Sequence, residues 1–421
     1  MTVLHDYLLW KLLLPPSDCG GRNRRKAEAV GARLRFADGS EVLDATSGLW
    51  NVNLGYGNAA IGEAIAAAER ADPDAGSSSH SYALKASESL VAAAGQADYR
   101  QAVFSTSGGA ANDLAMKLAR QYAALRGQKE RRLVVALKGR YHGLTYGVHS
   151  LTREALDQQL YGVDLRNVRH VDPADPEELV RFMERHGPRV AAVACEPVLG
   201  SGAHPLSDAF VGAMTTLRHE YGFLLIADEV ATGFGRTGPM FASSRWPEAP
   251  DLLIASKGLT NGSCAASAVL VSHVVAAAFE EHDAPLVPSE APACSPANYA
   301  AISATLAQFE ELDALAAAER TGTALHLILR EVTRRRPLVR SITGTGCFRA
   351  LHLQDADGRP LDDRAVQGAI AAIRSHGALV YPGPGAIQLV PVLTSTKQDL
   401  ADLASALRQG LDETGLRAGH R

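Results

Sequence analysis

Cysteine is sparse. Five residues in 421 (Cys19, Cys195, Cys264, Cys294 and Cys347) are scattered, odd in number and without a Cys-x-x-Cys pair. That argues against a zinc cluster or a disulfide framework and for a reducing compartment. Charge of one sign is lacking too, since a formal net charge of −4 leaves no footprint for nucleic acid or an anionic membrane. The apolar N-terminal run YLLWKLLLPP, interrupted by Lys11 and closed by Pro15 and Pro16, is too short to span a bilayer. No small-residue cleavage site of the signal-peptide kind follows it, so it is expected to pack on the protein or on a partner subunit, with the chain in the cytoplasm. Repeats and low-complexity linkers are absent. So are GxGxxG and the P-loop, which disfavours a nicotinamide dehydrogenase or a nucleotide-binding enzyme.

What is present is an ordinary folded composition, 46% hydrophobic and 21% charged, in a chain long enough for a large core and two domains. Short apolar runs alternate with helical patterns. QAVFS (101–105), LVVAL (133–137), VAAVAC (190–195), LLIA (224–227), LLIAS (252–256) and AVLVS (268–272) predict strands, with helices such as AANDLAMKLARQYAALRG between them. Continuous rather than alternating apolar strands predict a mainly parallel α/β sheet with helices on both faces. ARLRFADGSEVLDATSG predicts a hairpin around Asp38-Gly39. The expected division is a large domain over 51–305 and a small α+β domain built from both chain ends, 1–50 and 306–421.

Ligands of an open α/β sheet sit beyond the carboxyl ends of its strands, so the loops there carry the chemistry. STSGGAAND (105–113) follows a strand and opens a helix. Ser107, Gly108 and Gly109 either form a capped glycine turn or let backbone N–H groups cradle a phosphate. In GRYHGLT (139–145), Tyr141 and His142 either pack or offer a stacking platform to a flat ring. CEPVLGSG (195–202) ends a strand in Glu196, an acid as able to orient backbone or an arginine as to touch a ligand. LLIADEVATGFGRTG puts Asp228 at a strand end, with Glu229 on the opposite face in a structural role. LLIASKGLTNG ends a strand in Lys257, either a snorkelling lysine or a desolvated amine able to form a Schiff base.

One ligand uses a glycine cup, an aromatic platform, an aspartate and a lysine together: pyridoxal 5′-phosphate. Its phosphate suits the glycine loop, its ring an aromatic platform, its pyridinium nitrogen the carboxylate of Asp228, and its aldehyde the amine of Lys257.

SGGAAND, YHGLT, EPVLGSG, DEVATGFGRTG and SKGLTNG, in this order, resemble the class III (omega) aminotransferases among the fold-type I pyridoxal-phosphate enzymes. The resemblance runs from DATSGLWNVNLGYGN (44–58) to PVLTSTKQDL (391–400). It implies a fold-type I homodimer with active sites at the interface, and no metal. It further implies Lys257 as Schiff-base lysine and proton carrier, Asp228 at the pyridine nitrogen, and Tyr141 and Val230 on the two faces of the ring. Gly108 and Gly109 would hold the phosphate, and Trp50 would line the substrate pocket. The reaction implied is a ping-pong transamination (EC 2.6.1 type) between an amine or amino-acid donor and a ketone or aldehyde acceptor. An aminomutase or decarboxylase of the same fold, or a protein that binds the cofactor without turnover, uses the same parts.

Several positions depart from the family. Gly109 stands where a hydroxyl or alanine is usual, and Ala110 where glutamate is frequent. The threonine that the partner subunit gives to the phosphate falls at Ala291, with Ser289 or Ser295 as substitutes. Tyr381 occupies the place of the arginine that grips a substrate carboxylate, and it cannot make the same bidentate ion pair. Arg236 and Arg349 are the other cations able to serve. Without one, the expected acceptor is a ketone or aldehyde on a neutral or larger scaffold, such as a modified peptide C-terminus in a natural-product pathway.

Overall fold

The computed structural model describes Leu9, Gly21 and residues 24–71, 80–152, 156–287 and 294–418. The N-terminal apolar run, apart from Leu9, and the positions of Ser289 and Ala291 lie outside the described residues.

A seven-stranded sheet organises the molecule. Its strands are β1 (Tyr99–Ser105), β2 (Leu133–Leu137), β3 (Val168–Val171), β4 (Val190–Cys195), β5 (Leu224–Asp228), β6 (Leu252–Ala255) and β7 (Ser267–Ser272). They lie in the order β1-β7-β6-β5-β4-β2-β3. All are parallel except β7, which runs antiparallel to both β6 and β1. The inner strands β2, β4, β5, β6 and β7 are buried at every residue because helices cover both faces. On β5, Leu224 and Ile226 join the core under helix Gly108–Leu125, whereas Leu225 joins the core under helices Pro176–His186 and Asp208–Tyr221. Each such side chain contributes roughly 1.5–3 kcal/mol on burial. That two-sided demand is why these strands read as unbroken apolar runs. Edge strand β3, with Arg169 exposed, has only a four-residue VRHV pattern and was not among the predicted strands.

Both chain ends meet in a second core. Glu41–Asp44 pairs in parallel with Ala378–Leu379, and antiparallel with Arg33–Phe36 across the hairpin that turns at Asp38-Gly39. A four-stranded antiparallel sheet follows, in the order Val339–Thr345, Phe348–Leu353, Ala386–Leu389, Tyr381–Gly383. Leu43, Leu351, Ile387 and Leu403 share one core with Leu325 and Leu329 of helix Ala314–Thr333. The expected boundary after residue 305 falls inside helix Pro296–Glu311, whose Ile302, Leu306 and Phe309 belong to the large-sheet side. Helix Ala314–Thr333 belongs to both sides, since Ala314 and Ala318 pack with that same group. Among the described residues no helix is long and apolar enough to cross a membrane.

Candidate active site

Strand β5 ends in Asp228, which is buried at the carboxyl edge of the sheet. Its Oδ2 accepts from Asn112 Nδ2 at 2.8 Å and lies 2.7 Å from His142 Nδ1, while Oδ1 accepts from Val230 N at 3.0 Å. Burial opposes charge on His142, but the hydrogen bond and the charge of Asp228, with Glu196 beyond, outweigh it. The imidazole pKa is held above its ordinary value. Glu229 turns the other way. Its carboxylate accepts from Ser243 N at 2.6 Å and from Thr232 Oγ1, and so ties down the glycine-rich loop that follows.

Lys257 ends the segment after β6 and opens a short 3₁₀ turn, Lys257–Thr260, with a left-handed φ of +50°. Such a backbone is uncommon for a long side chain and is typical of residues held for function. Burial lowers the pKa of its amine, opposed by the charges of Asp228 and Glu196. Its Nζ lies 5.2 Å from the centre of the Trp50 ring. Glu196, at the end of β4, accepts from Gly200 N at 3.1 Å. Burial pushes its carboxyl up to about 7, with Asp228 adding to the rise and His142, Arg140 and Lys257 opposing it.

The glycine loop opens helix Gly108–Leu125. Ser107 caps that helix, its Oγ accepting from Ala110 N at 3.2 Å. A Cβ on Gly108 would fall 3.0 Å from both methyl carbons of Val230, which fixes the small residue there. Gly109 faces Gly143, whose own Cβ would come 2.6 Å from the Gly109 Cα. Tyr141 stands on the loop after β2 with 40% exposure, next to buried His142.

The residues expected to wall the substrate pocket come from the chain ends. Trp50 packs edge-on against Tyr381, with ring centroids 4.9 Å apart, and against Phe348 at 5.7 Å. Ser47, Gly48, Leu49 and Trp50 all have left-handed φ values, +45°, +56°, +65° and +62°. Three of the four are not glycine, each costing roughly 1–2 kcal/mol in that conformation. Arg236 is fully buried, and its guanidinium donates to Asn53 Oδ1 at 2.7 Å and to Pro391 O. Burial lowers its pKa to about 10. Arg349 donates to Gly344 O at 2.6 Å and Gly346 O at 3.2 Å. Both guanidiniums are thus bonded to backbone and amide oxygens of the chain, with Arg236 Nε buried and without a partner and Arg349 only half-buried. Ser295 is engaged as well, its hydroxyl bonding Asn298 Oδ1 at 2.6 Å in a capping box.

Two contributors were missed in the sequence. Asn112 bonds Gly108 O at 3.0 Å, His142 O at 3.3 Å and Asp228, so one amide ties the glycine loop, the aromatic loop and the carboxylate together. Its signal was the spacing, one helical turn beyond Gly108 in SGGAAND. Thr152 Oγ1 accepts from His142 N at 2.9 Å and donates to Gly143 O at 2.8 Å, closing the loop from behind. No local pattern marked it.

The residues fit the cofactor expected from the sequence. His142 Nε2 and Glu196 Oε2 are buried without hydrogen-bond partners, beside a carboxylate, a low-pKa amine and a glycine cradle that a Cβ would fill.

A family model described as class III aminotransferase matches residues 22–411. The omega-aminotransferase of Caulobacter vibrioides is 29% identical over 415 residues, covering 93% of this chain and 94% of that protein. The acetylornithine aminotransferase of Bacillus subtilis is 30% identical over 393 residues, covering 91% and 94%. A solved amine transaminase from an uncultivated Pseudomonas species, in its PLP-bound form, superposes with a TM-score of 0.88 at 28% identity, covering 96% and 98%.

Proposed function

The chain belongs to the class III aminotransferases and is a pyridoxal-phosphate-dependent transaminase, and from that premise we propose which residues do the work and what the pocket accepts. Its substrates are an amine donor and a keto acceptor. When bound, the cofactor supplies a conjugated electron sink that carries the amino group between the two.

The observation that carries the residue assignment is the convergence of Asp228 and Lys257 at neighbouring strand ends, one buried as a carboxylate with three partners and the other with its amine pKa lowered. Asp228 would hold a proton at the cofactor's ring nitrogen, with Asn112 and His142 fixing the carboxylate's direction. Lys257 Nζ would attach the cofactor between turnovers, then take the proton from the substrate carbon and return it. A lowered pKa leaves more of that amine neutral and able to accept. Gly108 and Gly109 would give the phosphate close backbone approach, and Tyr141 and Val230 would bracket the ring. Glu196 and His142 would complete its polar surroundings. The expected partition is a cofactor-binding unit from the central sheet and a substrate wall from the chain ends, in a cytoplasmic homodimer whose partner completes the phosphate site.

Trp50, Tyr381 and Phe348 bring no cation to the pocket wall, and Arg236 and Arg349 are bonded to internal oxygens. The acceptor is therefore a ketone or aldehyde on a neutral or larger scaffold, a peptide end among them.

Lys257→Ala tests the centre of this reading. The variant should lose turnover while still retaining cofactor through Asp228 and the glycine loop. Borohydride treatment of the wild-type holoenzyme should place the cofactor's mass on the peptide containing Lys257. Its appearance on Lys138 instead, a surface residue paired with Glu178 at 2.9 Å, would overturn the assignment.

A further inference from the structure

We propose that Asp44 is the positioning residue for acceptor selectivity, holding the left-handed turn Ser47–Trp50 in the one conformation that sets Trp50 against Tyr381 and the amine of Lys257. The proposal rests on the reading of Trp50 as pocket wall. Asp44 is buried, and both carboxylate oxygens are fully used. Oδ1 accepts from Thr46 N at 2.8 Å and Thr46 Oγ1 at 2.6 Å. Oδ2 accepts from Gly48 N at 2.9 Å and Tyr56 Oη at 2.7 Å. All four donors are neutral, and three belong to the turn and its entry. Burial and the charge of Asp44 hold the Tyr56 phenol well above its ordinary pKa, so it stays a donor.

Four consecutive left-handed residues persist only where their surroundings over-determine them. Ser47 and Trp50 are buried, while the outer side of the turn backs onto an open groove of about 400 Å³ lined by Lys26, Gly48, Asn51, Val52 and Tyr56. Beside that packing, the turn is held by its bonds to Asp44 and by the bond Ser47 Oγ donates to Val390 O. The same stretch is stitched to the support of Tyr381, since Ala45 N donates to Leu379 O at 2.9 Å and Val390 N to Ala45 O at 2.7 Å. Asp44 touches neither cofactor nor substrate in this scheme. It acts through Trp50.

In Asp44→Asn one oxygen becomes an amide that meets either the Gly48 N–H or the Thr46 N–H donor to donor, so in either orientation one backbone donor of the turn or its entry loses its acceptor. The test measures, in the holoenzyme, the kcat/KM ratio between a bulky aryl ketone and a short aliphatic aldehyde for wild type, Asp44→Asn, Trp50→Ala and the double variant. Tyr56→Phe, which removes a single bond to Asp44, serves if Asp44→Asn does not fold. Trp50→Ala should shift the ratio about tenfold or more towards the bulky acceptor. Asp44→Asn should shift it in the same direction, Tyr56→Phe less so, and the double variant should match Trp50→Ala alone. Multiplying effects in the double variant, or an unchanged ratio in Asp44→Asn and Tyr56→Phe while Trp50→Ala shifts it, would overturn the proposal. An unchanged ratio in Trp50→Ala would overturn the pocket-wall reading, and this proposal with it.

Discussion

Asp228 owes its orientation to partners on three different segments, so its charge and its direction are separable. Asp228→Asn keeps the shape but puts an amide opposite the donors of Asn112 or Val230, and it cannot balance a protonated ring nitrogen. The expected result is a folded enzyme with weakened cofactor affinity and an amine-donor half-reaction slowed by about 10²–10³ or more, by analogy with the loss of one preorganised electrostatic group. Stopped-flow absorbance of the single half-reaction checks it, and a near-normal rate would refute the role. Glu196 makes a different prediction. Its carboxyl ionises near 4.5 when exposed and near about 7 when folded, so between those values the native state binds more protons than the unfolded chain. Stability should therefore fall as pH rises from about 4.5 to about 7. Glu196→Gln should lose that part of the slope. Parallel melting-temperature profiles for the two proteins over this range would contradict a protonated Glu196. The placement of Asp228 at a strand end, and of Lys257 just past one, was legible in the sequence because each follows an unbroken apolar run. Asn112 and Asp44 were not, since their work lies in bonds to segments that only tertiary structure brings near.

At the scale of elements, the site depends on loops pressed against each other rather than on any one motif. Gly143 is the tightest point, with a φ of +128° and a Cβ position 2.6 Å from the Gly109 Cα. Gly143→Ala should lower stability by at least ~1–3 kcal/mol and weaken cofactor binding about tenfold, because the glycine loop must move. Gly139→Ala is the control. That residue is also left-handed, with φ +68°, but a Cβ there meets nothing within 4 Å. Its melting temperature should fall with cofactor affinity unchanged. Equal effects on affinity in the two variants, read by cofactor titration, would contradict the packing role of Gly143. Inner strands and the Asp38-Gly39 hairpin could be predicted because two-sided burial and turn chemistry are local properties. Strand β3 lies at an edge with only two buried residues, Val168 and Val171, and the Ser47–Trp50 turn contains a single glycine, so neither announces itself.

On the scale of the whole molecule, the proposed roles divide chemistry and selectivity between different parts of the chain. Carboxyl ends of the central sheet supply Asp228, Lys257 and the glycine loop, whereas the chain ends supply Trp50, Phe348 and Tyr381. The two meet where Trp50, Phe348 and Tyr381 pack with Val198, Ala203 and Ala231 and where the Trp50 ring faces the Lys257 amine. The family was legible in the order of its loops, and the departure at Tyr381 was too. The internal oxygens that Arg236 and Arg349 bond were not, because an arginine held by amide and backbone oxygens reads in sequence like any other cation. The most direct measurement compares kcat/KM for acceptor pairs that differ only in carboxylate against carboxamide. Comparable values, or a preference for the carboxamide, are expected of a wall that has Tyr381 in place of a carboxylate-gripping arginine. A preference of 100-fold or more for the carboxylate, roughly 2.7 kcal/mol, would contradict it and make the enzyme an ordinary amino-acid transaminase.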